Sequence, residues 1–330
     1  MDCYFAPMEG VTGYVYRNAH HQLYGGITRY YTPFIAPGQS RKLTSREMND
    51  ILPEHNRGIP LVPQVLTNRA GDFLWAAEKI QSLGYEEVNL NLGCPSGTVV
   101  SKNRGSGFLA MPEELNSFLE QVSRELQQRG MKFSIKTRIG KRDPGEFQGL
   151  LKIFNQYPLE SLIIHPRTQA DFYQNHPNRE VFRQAVEGSK NPLCYNGDIF
   201  STEDAAALRE SFPMLQAMML GRGLLRDPAL AEKITGNARK GVAAEPAEGS
   251  IKEDSERQRL KHFHDILLSG YQEAIPGERN VLFKMKELWA YLGSSFDNSG
   301  RPLKKIKKAK RIEEYMAAVE QLFADGKLIL

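Results

Sequence analysis

Cysteine is scarce in this sequence, and long apolar runs are absent from it. The 330 residues contain three cysteines, Cys3, Cys94 and Cys194, which is an odd number and too few for a disulfide framework. We therefore expect reduced thiols. No segment approaches the ~18 uninterrupted apolar residues of a membrane-spanning helix, and the N-terminus lacks the basic and apolar regions of a secretory signal. These absences predict a protein of the cytoplasm.

Metal-ligand and dinucleotide motifs are also missing. No paired Cys-x-x-Cys motifs occur, and neither His20-His21 nor the pair His262 and His264 has further ligand-type partners at metal spacing. We therefore expect no metal site. The sequence has no Gly-x-Gly-x-x-Gly dinucleotide motif, so a nicotinamide nucleotide would dock only transiently. With 41% hydrophobic and 25% charged residues, the composition is that of a soluble globular protein.

Apolar runs alternate with helix-like segments through most of the chain. Pro112-Glu113-Glu114 and Ser201-Thr202-Glu203-Asp204 carry the capping and acidic residues that start helices. Eight strands alternating with helices predict an α/β fold, a (β/α)8 TIM barrel over residues 1–240, whereas a doubly wound sheet would need a different strand count. The predicted strands are 2–8, 27–34, 60–66, 86–93, 131–139, 161–167, 191–198 and 214–222, and the predicted helices include 69–82, 112–128, 145–156, 202–210 and 223–234.

The last part of the chain has a different character. Residues 236–255 lose apolar periodicity and gather small and polar residues, which indicates a linker. Residues 251–330 carry apolar residues at helical spacing and predict a C-terminal all-helical domain. Five Lys and two Arg, with no acid, lie within 301–311, whereas the whole chain has a net charge of only +4. Such a run favours a polyphosphate partner, although charge runs are usually only solvated helix faces.

Polar residues gather at the ends of the predicted strands, where a (β/α)8 barrel carries its active site. The run Asn89-Leu90-Asn91-Leu92-Gly93-Cys94-Pro95 ends one apolar strand with a thiol, two amides and a tight turn. A buried strand has little use for this combination unless its end faces a ligand. Glycine-containing turns after the last two strands are typical phosphate sites, because bare backbone N–H groups converge there. Other polar residues at strand ends are Gln64, Lys136, Arg138, His165, Arg167, Asn196, Asp198 and Arg222.

Six motifs in register resemble those of the tRNA-dihydrouridine synthases, and the resemblance covers nearly the whole chain. It implies an FMN-binding barrel followed by a helical tRNA-binding domain. It also implies reduction of tRNA uridines to 5,6-dihydrouridine with NADPH, in which Cys94 is the general acid that protonates uracil C5 while a hydride from the flavin reaches C6. The motifs are Ala6-Pro7-Met8-Glu9-Gly10-Val11-Thr12, Asn89-Leu90-Asn91-Leu92-Gly93-Cys94-Pro95, Lys136-Thr137-Arg138-Ile139-Gly140, His165-Pro166-Arg167-Thr168, Asn196-Gly197-Asp198-Ile199 and Gly221-Arg222-Gly223.

The resemblance, together with the positions of basic residues, assigns roles in the site. A thiol of ordinary pKa, about 8.5, is mostly protonated at pH 7 and can donate a proton. The segment 169–176 and the positions Glu9 and Gly13 match the family pattern loosely and receive no role. We expect no stable protein partner and a monomer. The residues assigned to FMN are Pro7, Met8, Gln64, Lys136, His165, Asn196, Gly197, Asp198, Gly221 and Arg222, and those assigned to RNA are Asn91, Arg138, Arg167, Lys102, Arg104, Lys284 and Lys286.

Other interpretations stay open at this point. Cys94 could be a small buried residue, and Lys136 and His165 could be satisfied structural groups. The chain could be another FMN barrel that reduces a small pyrimidine or enone, although that function does not explain the basic tail. It could also be an RNA-binding protein with an inactive barrel, against which the intact Cys94, Lys136 and His165 argue. The sequence does not identify which uridine is reduced or whether NADPH is preferred to NADH.

Overall fold

Parallel strands close into a barrel in this computed structural model, which describes residues 1–38, 40–239, 252–297 and 299–330, with backbone alone for 252–254. Their order around the sheet is β3-β2-β1-β9-β8-β7-β6-β5-β4. Since β3 and β4 stand at the two ends of this order and only Pro63 separates them in the chain, the sheet closes on itself. The predicted barrel is therefore confirmed. Its strands are β1 (Asp2–Phe5), β2 (Ile27–Tyr31), β3 (Leu61–Val62), β4 (Gln64–Val65), β5 (Glu87–Leu92), β6 (Lys132–Arg138), β7 (Ser161–His165), β8 (Leu193–Asn196) and β9 (Ala217–Leu220).

Two neighbouring strands, β5 and β6, alternate polar and apolar residues although both are largely buried. Alternate residues of a strand share one face, so Glu87, Asn89 and Asn91 line the same side of β5. The parallel register places Asn89 beside Ser134 and Asn91 beside Lys136. The barrel thus contains a polar column next to an apolar core cluster, which is formed by Tyr4, Ala6, Tyr31, Val62, Ile163, Cys194, Ala217 and Met219.

Helices connect the strands at most of the predicted positions. Four predicted segments form helices within two residues of their expected bounds, whereas 223–234 is divided between α9 and α10. The break falls at Pro228, which cannot donate a backbone hydrogen bond to continue the helix. The helices of the described residues are α1 (Tyr14–Leu23), α2 (Ser45–Ile51), α3 (Ala70–Ser82), α4 (Gly97–Val100), α5 (Pro112–Gln128), α6 (Glu146–Phe154), α7 (Arg179–Gly188), α8 (Thr202–Ser211), α9 (Arg222–Arg226), α10 (Leu230–Thr235), α11 (Lys252–Ala274), α12 (Glu278–Leu292), α13 (Gly300–Lys308) and α14 (Ile312–Asp325).

The chain divides into two compact units. The barrel unit comprises 1–9, 28–199 and 203–221, and the helical unit comprises 10–27, 200–202 and 222–330. The helical unit therefore includes α1, α9 and α10 in addition to the predicted tail. The predicted division into 1–240 and 251–330 stays a prediction, since most of the predicted linker, 240–251, lies outside the described residues.

The tail is helical except for one short ladder. The strands β10 (Phe296–Asp297) and β11 (Lys327–Leu328) pair in antiparallel fashion, which corrects the expectation of an all-helical domain. Phe296 and Leu328 are both buried, so the ladder closes the apolar interior of the unit. Among the described helices of the chain, none is long and apolar enough to cross a membrane.

A buried carboxylate holds three segments of the helical unit together. Glu232 of α10 accepts hydrogen bonds from the backbone N–H groups of Gly25 at 2.6 Å and Arg239 at 3.0 Å. It also accepts two bonds from the Arg259 guanidinium of α11, at 2.8 and 2.9 Å. Burial alone would raise the pKa of Glu232, but these hydrogen bonds together lower it. The carboxylate is therefore ionised and fully used by the protein.

Candidate active site

Cys94 lies in a tight turn between β5 and α4, and hydrogen bonds hold the turn from both sides. Asn91 Oδ1 accepts bonds from the backbone N–H groups of Gly93 at 3.0 Å and Cys94 at 2.9 Å. On the other side, the Cys94 carbonyl accepts bonds from Ser106 N at 3.1 Å and Ser106 Oγ at 2.8 Å. The thiol itself is half-buried. The backbone that carries it therefore has little freedom to move.

Gly105 allows the chain to approach Cys94 closely. Its φ of +56° lies in the left-handed region, and a Cβ there would come within 2.8 Å of the Cys94 carbonyl oxygen. Only glycine meets both demands without strain. Gly105 and Ser106 were not among the predicted site residues, although the run Gly105-Ser106-Gly107 is a signal for a tight backbone approach.

The surroundings of the Cys94 thiol favour its protonated form. Burial raises the pKa of Cys94, and the nearby Glu9 carboxylate adds to this effect. The Ser96 N–H and the cations of Arg138 and Lys136 act in the opposite direction, but the net pKa is raised. A thiol with a raised pKa is a proton donor at neutral pH, whereas a nucleophilic cysteine needs a lowered pKa.

Lys136 presents a half-buried ammonium group that has no partner in the described part of the chain. No described residue forms a hydrogen bond or ion pair with its Nζ. Burial, together with the nearby Arg138 guanidinium, lowers the pKa of Lys136 to about 8. Leaving a cation in this position costs stability unless a ligand supplies negative charge or hydrogen-bond acceptors. The structural alternative, in which Lys136 is a satisfied ion-pair partner, finds no support among the described residues.

Arg138 joins the Cys94 turn to the segment after β7. Its Nε donates to the Gly93 carbonyl at 2.9 Å, and its Nη1 donates to the Thr168 carbonyl at 2.8 Å. The guanidinium carbon lies 5.4 Å from the centre of the Tyr173 ring. Among the described residues, none accepts a bond from Nη2. Arg138 is therefore fixed in place but keeps donors for a ligand.

Arg167 differs from Arg138 because its donors are already used. Its Nε donates to the Gln174 carbonyl at 3.0 Å, and Nη1 donates to Asp198 Oδ1 at 2.9 Å and His165 Nε2 at 3.1 Å. Nη2 donates to the Asn175 carbonyl and to Asp198 Oδ2, both at 2.5 Å. The predicted RNA contact of Arg167 stays a prediction, and these bonds favour a role in ordering the segment after β7.

The same bonds determine the tautomer of His165. Because an arginine can only donate, Nε2 of His165 must be the acceptor, and the proton of a neutral imidazole is then on Nδ1. The His165 and Tyr173 ring centres are 6.2 Å apart. Tyr173 is 48% exposed and was not predicted as a site residue. Its only sequence signal is an aromatic residue shortly after a strand end that carries His and Arg.

The ends of β8 and β9 bring further predicted residues close to this group. Gly197 has a φ of +150°, and a Cβ there would lie 3.3 Å from His165 Cδ2. A side chain at Gly221 would contact Met8 Sδ at 3.7 Å, so the ends of β1 and β9 are neighbours. Asn196 Nδ2 is held by the Met219 carbonyl at 2.8 Å. Pro7, between Ala6 and Met8, lies at the same end of β1.

Five predicted basic residues have ligand contacts that stay untested, and two of them bond to backbone carbonyls of the protein. In the helical unit, Lys284 Nζ donates to the Gly10 carbonyl, and Lys286 Nζ donates to the Ala309 carbonyl. Lys102 is exposed and Arg104 half-buried in the turn that leads to Ser106, in the barrel unit. Their predicted RNA contacts stay predictions. The fifth, Arg222, starts α9 with its guanidinium 5.3 Å from the Phe200 ring, and its predicted part in phosphate binding is likewise untested.

The basic run of the tail forms one exposed surface. Helix α13 buries Pro302 and Ile306 and directs its basic residues outward. Lys305 Nζ bonds to Gln321 Oε1, and Arg311 pairs with Glu314. We call this surface the basic ridge. It consists of Arg301, Lys304, Lys305, Lys307, Lys308, Lys310 and Arg311, all of which are exposed.

The residues at the strand ends fit a flavin nucleotide. The Lys136 ammonium, which has no partner among the described residues, would be stabilised by an electron-rich or anionic group. The Arg138 Nη2 donors would be satisfied by hydrogen-bond acceptors of a ligand. Gly197 and Gly221 leave bare backbone at the ends of the last two strands, where such barrels commonly bind a phosphate. We call Gln64, Asn91, Cys94, Lys136, Arg138, His165 and Arg167 the strand-end cluster. It combines a proton donor with a cation that has no partner among the described residues.

Solved structures share the barrel fold with this chain. Morphinone reductase matches with a TM-score of 0.50 and 12% identity, over 72% of this chain and 86% of that one. Histamine dehydrogenase from Rhizobium sp. 4-9 matches with a TM-score of 0.51 and 10% identity, over 71% of this chain and 45% of that one. At these identities the likeness concerns the fold alone.

Sequence comparisons identify the family. The probable tRNA-dihydrouridine synthase 1 of Synechocystis sp. is 25% identical over 333 residues, which cover 98% of this chain and 87% of the relative. The tRNA-dihydrouridine(16) synthase of Pseudomonas syringae pv. tomato is 29% identical over 252 residues, 74% of this chain and 78% of the relative. The family model described as dihydrouridine synthase (Dus) matches residues 4–288. The chain therefore belongs to the dihydrouridine synthase family.

Proposed function

We propose that this protein reduces uridines of tRNA to 5,6-dihydrouridine, with FMN as bound cofactor and NADPH as reductant. The observation that carries the proposal is the Cys94 thiol, which a fixed turn holds and whose pKa is raised. It lies in the same cluster as the Lys136 ammonium, for which the described residues supply no partner. Family membership supports the substrate and the flavin.

Cys94 would act as the general acid. Reduced FMN, when bound, supplies the hydride that reaches uracil C6. The S–H bond of Cys94 breaks as a C–H bond forms at C5, so the base gains two hydrogens and the thiolate is reprotonated from solvent. The raised pKa keeps this thiol protonated before the reaction. General acid catalysis of this kind contributes about 10²–10⁴-fold to a rate.

Other residues of the strand-end cluster would bind the two ligands. Lys136 would contact the flavin ring and would favour its electron-rich reduced form electrostatically. Gln64, which was also predicted to touch the ring, has no exposed surface and would instead act through Asn91. The Arg138 Nη2 donors would contact the uracil or its nucleotide, as would the remaining N–H of Asn91. His165 would face a flavin or uracil carbonyl. The residues proposed for the ribityl chain and phosphate are Asn196, Gly197, Asp198 and Gly221, with Pro7 and Met8 against the ring.

The proposal is tested under anaerobic conditions. The purified holoenzyme is reduced, an unmodified tRNA transcript is added, flavin reoxidation is followed, and uridine that has gained two hydrogens is sought by mass spectrometry. We expect dihydrouridine from the wild type and a rate about 10²–10⁴-fold lower for Cys94→Ala. Cys3→Ala is the matched control, because Cys3 is fully buried in β1. Reduced enzyme that ignores tRNA but reoxidises with small pyrimidines or enones would contradict the proposal.

The position of the target uridine follows from the same experiment. Since one relative is named a tRNA-dihydrouridine(16) synthase, we propose uridine 16 as the target. Nuclease fragments of the product tRNA locate the added mass. A transcript with cytidine at position 16 should remain unmodified, whereas reduction at another uridine of that transcript would show that the target differs.

A further inference from the structure

We propose that Glu87, Asn89 and Ser134 are positioning residues for Cys94, which they reach through a buried hydrogen-bond relay in the barrel. None of the three was predicted as a site residue, and none belongs to the strand-end cluster. The catalytic meaning of the relay rests on the function proposed above. Its effect on the geometry of the Cys94 turn does not depend on that function.

The relay runs in unbroken steps between β6, β5 and β4. Asn91 Nδ2 donates to Gln64 Oε1 at 2.7 Å, and Gln64 Nε2 donates to Asn89 Oδ1 at 2.7 Å. Asn89 Nδ2 then donates to Ser134 Oγ at 2.9 Å, and Ser134 Oγ donates to Glu87 Oε1 at 2.6 Å. The first member, Asn91, is the residue whose Oδ1 holds the Cys94 turn.

The groups at the two ends of the relay require the same direction of hydrogen-bond donation along it. At the turn, backbone N–H groups can only donate, so Asn91 must present Oδ1 to them and Nδ2 to Gln64. At the other end, Glu87 Oε1 accepts from Ser134, so Ser134 must use its lone pairs for Asn89. Every amide between them therefore has one orientation. An amide that turned over would place two donors or two acceptors against each other.

Because the relay is buried, reversing the direction of any of its hydrogen bonds would cost stability. Gln64, Asn89 and Ser134 have no exposed surface, and Asn91 and Glu87 are 7% and 8% exposed. Water therefore cannot readily replace a lost partner, and a buried polar group without one is destabilising. Barrel interiors are usually filled by branched apolar side chains, which would pack here without such constraints. The polar column thus fixes the orientation of the amides that lead to Asn91, whereas an apolar core would fix none.

Arg29 anchors the far end of the relay. Its Nη1 donates to Glu87 Oε2 at 2.8 Å, and its Nη2 donates to Glu160 Oε1 at 2.8 Å. Burial raises the pKa of Glu87, and the Arg29 charge and the Ser134 hydrogen bond reduce that rise without reversing it. The carboxylate is held from two sides, so the relay ends on a fixed acceptor.

Ser134→Ala is the smallest cut through the relay. It removes the acceptor of Asn89 Nδ2 without adding bulk, and so loosens the amides that orient Asn91. We expect a rate of uridine reduction about tenfold lower, since a lost buried hydrogen bond is worth about one factor of ten. FMN affinity should be unchanged. Ser161→Ala is the matched control, because Ser161 is buried and lies beside Ser134 in the register of β7.

Alkylation of Cys94 by iodoacetamide gives a second readout that does not depend on turnover. The rate of alkylation is measured at a series of pH values on the Cys94 peptide by mass spectrometry. Cys3 and Cys194 are fully buried and should react slowly. Ser134→Ala should displace the pH midpoint of this reaction, and Ser161→Ala should not. In an Asn91→Ala background the effect of Ser134→Ala should vanish, because the relay is already cut.

The outcomes separate the relay from the proposed function. A wild type that makes no dihydrouridine would refute the function, and the alkylation profiles would still decide the relay. If Ser134→Ala and Ser161→Ala give the same rates and the same profiles, the relay does not position Cys94. Additive effects of Ser134→Ala and Asn91→Ala on alkylation would overturn the proposal as well.

Discussion

Both units of the molecule bury a polar network, but the two networks end differently. In the helical unit, Trp289 Nε1 and His264 Nε2 both bond to the Tyr315 hydroxyl at 2.7 Å, and His264 Nδ1 bonds to Asp265 at 2.9 Å. That network closes on Asp265, which also pairs with Lys261. In the barrel unit, the network ends at the backbone N–H groups of the turn that carries the Cys94 thiol, beside a Lys136 ammonium group that has no partner among the described residues.

The difference distinguishes groups that stabilise the fold from groups that await a ligand. A fully satisfied buried network is rigid and has nothing left to offer another molecule. The pair Arg167 and Arg138 shows the same contrast within the barrel unit. All the N–H donors of Arg167 are used internally, whereas Arg138 keeps Nη2 available. Counting unused donors therefore separates two arginines that the sequence treats alike.

The largest effect should come from a second buried polar group of the helical unit whose bonds are all made within the protein, the Glu232 carboxylate. Glu232→Ala leaves the half-buried Arg259 guanidinium without its carboxylate, together with two backbone N–H groups. We expect the free energy of unfolding of the helical unit to fall by about 3–5 kcal/mol, as for other broken buried pairs. Urea unfolding measures this change. The chain has two tryptophans, so Trp75→Phe leaves Trp289 as a fluorescent reporter of the helical unit.

Glu273→Ala is the control for that measurement. Glu273 is exposed on the same helix as Arg259, α11, and its removal should change stability by less than about 0.5 kcal/mol. Equal destabilisation by the two substitutions would mean that the Glu232 contacts do not hold the unit together.

Strand positions in the barrel could be predicted from the sequence because each strand is a short apolar run between polar turns. The order of the strands could also be predicted, since a (β/α)8 barrel follows chain order. Cys94 and Lys136 were identified as candidates because polar groups at strand ends are unusual. These predictions depend on local pattern, which a single sequence contains.

The contacts that organise the site could not be predicted in the same way. The alternation Glu87-Val88-Asn89-Leu90-Asn91 is visible in the sequence, but its bonding to Ser134 depends on the register between strands. Helix α1 was not predicted, and His20 within it, read as a surface or packing residue, is fully buried with its ring bonded to the Pro228 carbonyl. Long-range pairing of this kind leaves no periodic signal in the chain.

Lys136→Met tests the ammonium group that lies beside the barrel network and has no partner among the described residues. The substitution keeps the length of the side chain and removes its charge. We expect FMN affinity to fall about 10- to 100-fold, since a hydrogen bond to a charged group is worth about 1.5–3 kcal/mol. The apoprotein should not lose stability. Isothermal titration of apoprotein with FMN gives the affinity, and urea unfolding gives the stability.

The pH dependence of the stability of the apoprotein tests the same charge of Lys136. The pKa of Lys136 is lowered from 10.5 to about 8 in the folded chain, so between these values the unfolded chain binds more protons. The apoprotein should therefore gain stability relative to Lys136→Met as pH rises from about 8 to above 10. Lys132→Met, at the exposed start of the same strand, should show neither effect. Weaker FMN binding by Lys132→Met would contradict a specific role for Lys136.

The smallest effect should come from the basic ridge, whose charges are neither buried nor part of either network. Replacing Lys304, Lys307 and Lys308 by Ala removes three exposed cations from α13. If these cations contact RNA phosphates, the slope of log affinity against log salt should decrease by about 2–3, because each contact contributes about 0.7–0.9. FMN affinity should be unchanged. Alanine at the exposed residues Lys79, Lys152 and Lys190 of the barrel unit gives the same change in net charge. An equal change in salt slope for both triple variants would mean that tRNA responds to overall charge, and that the ridge is only a solvated helix face.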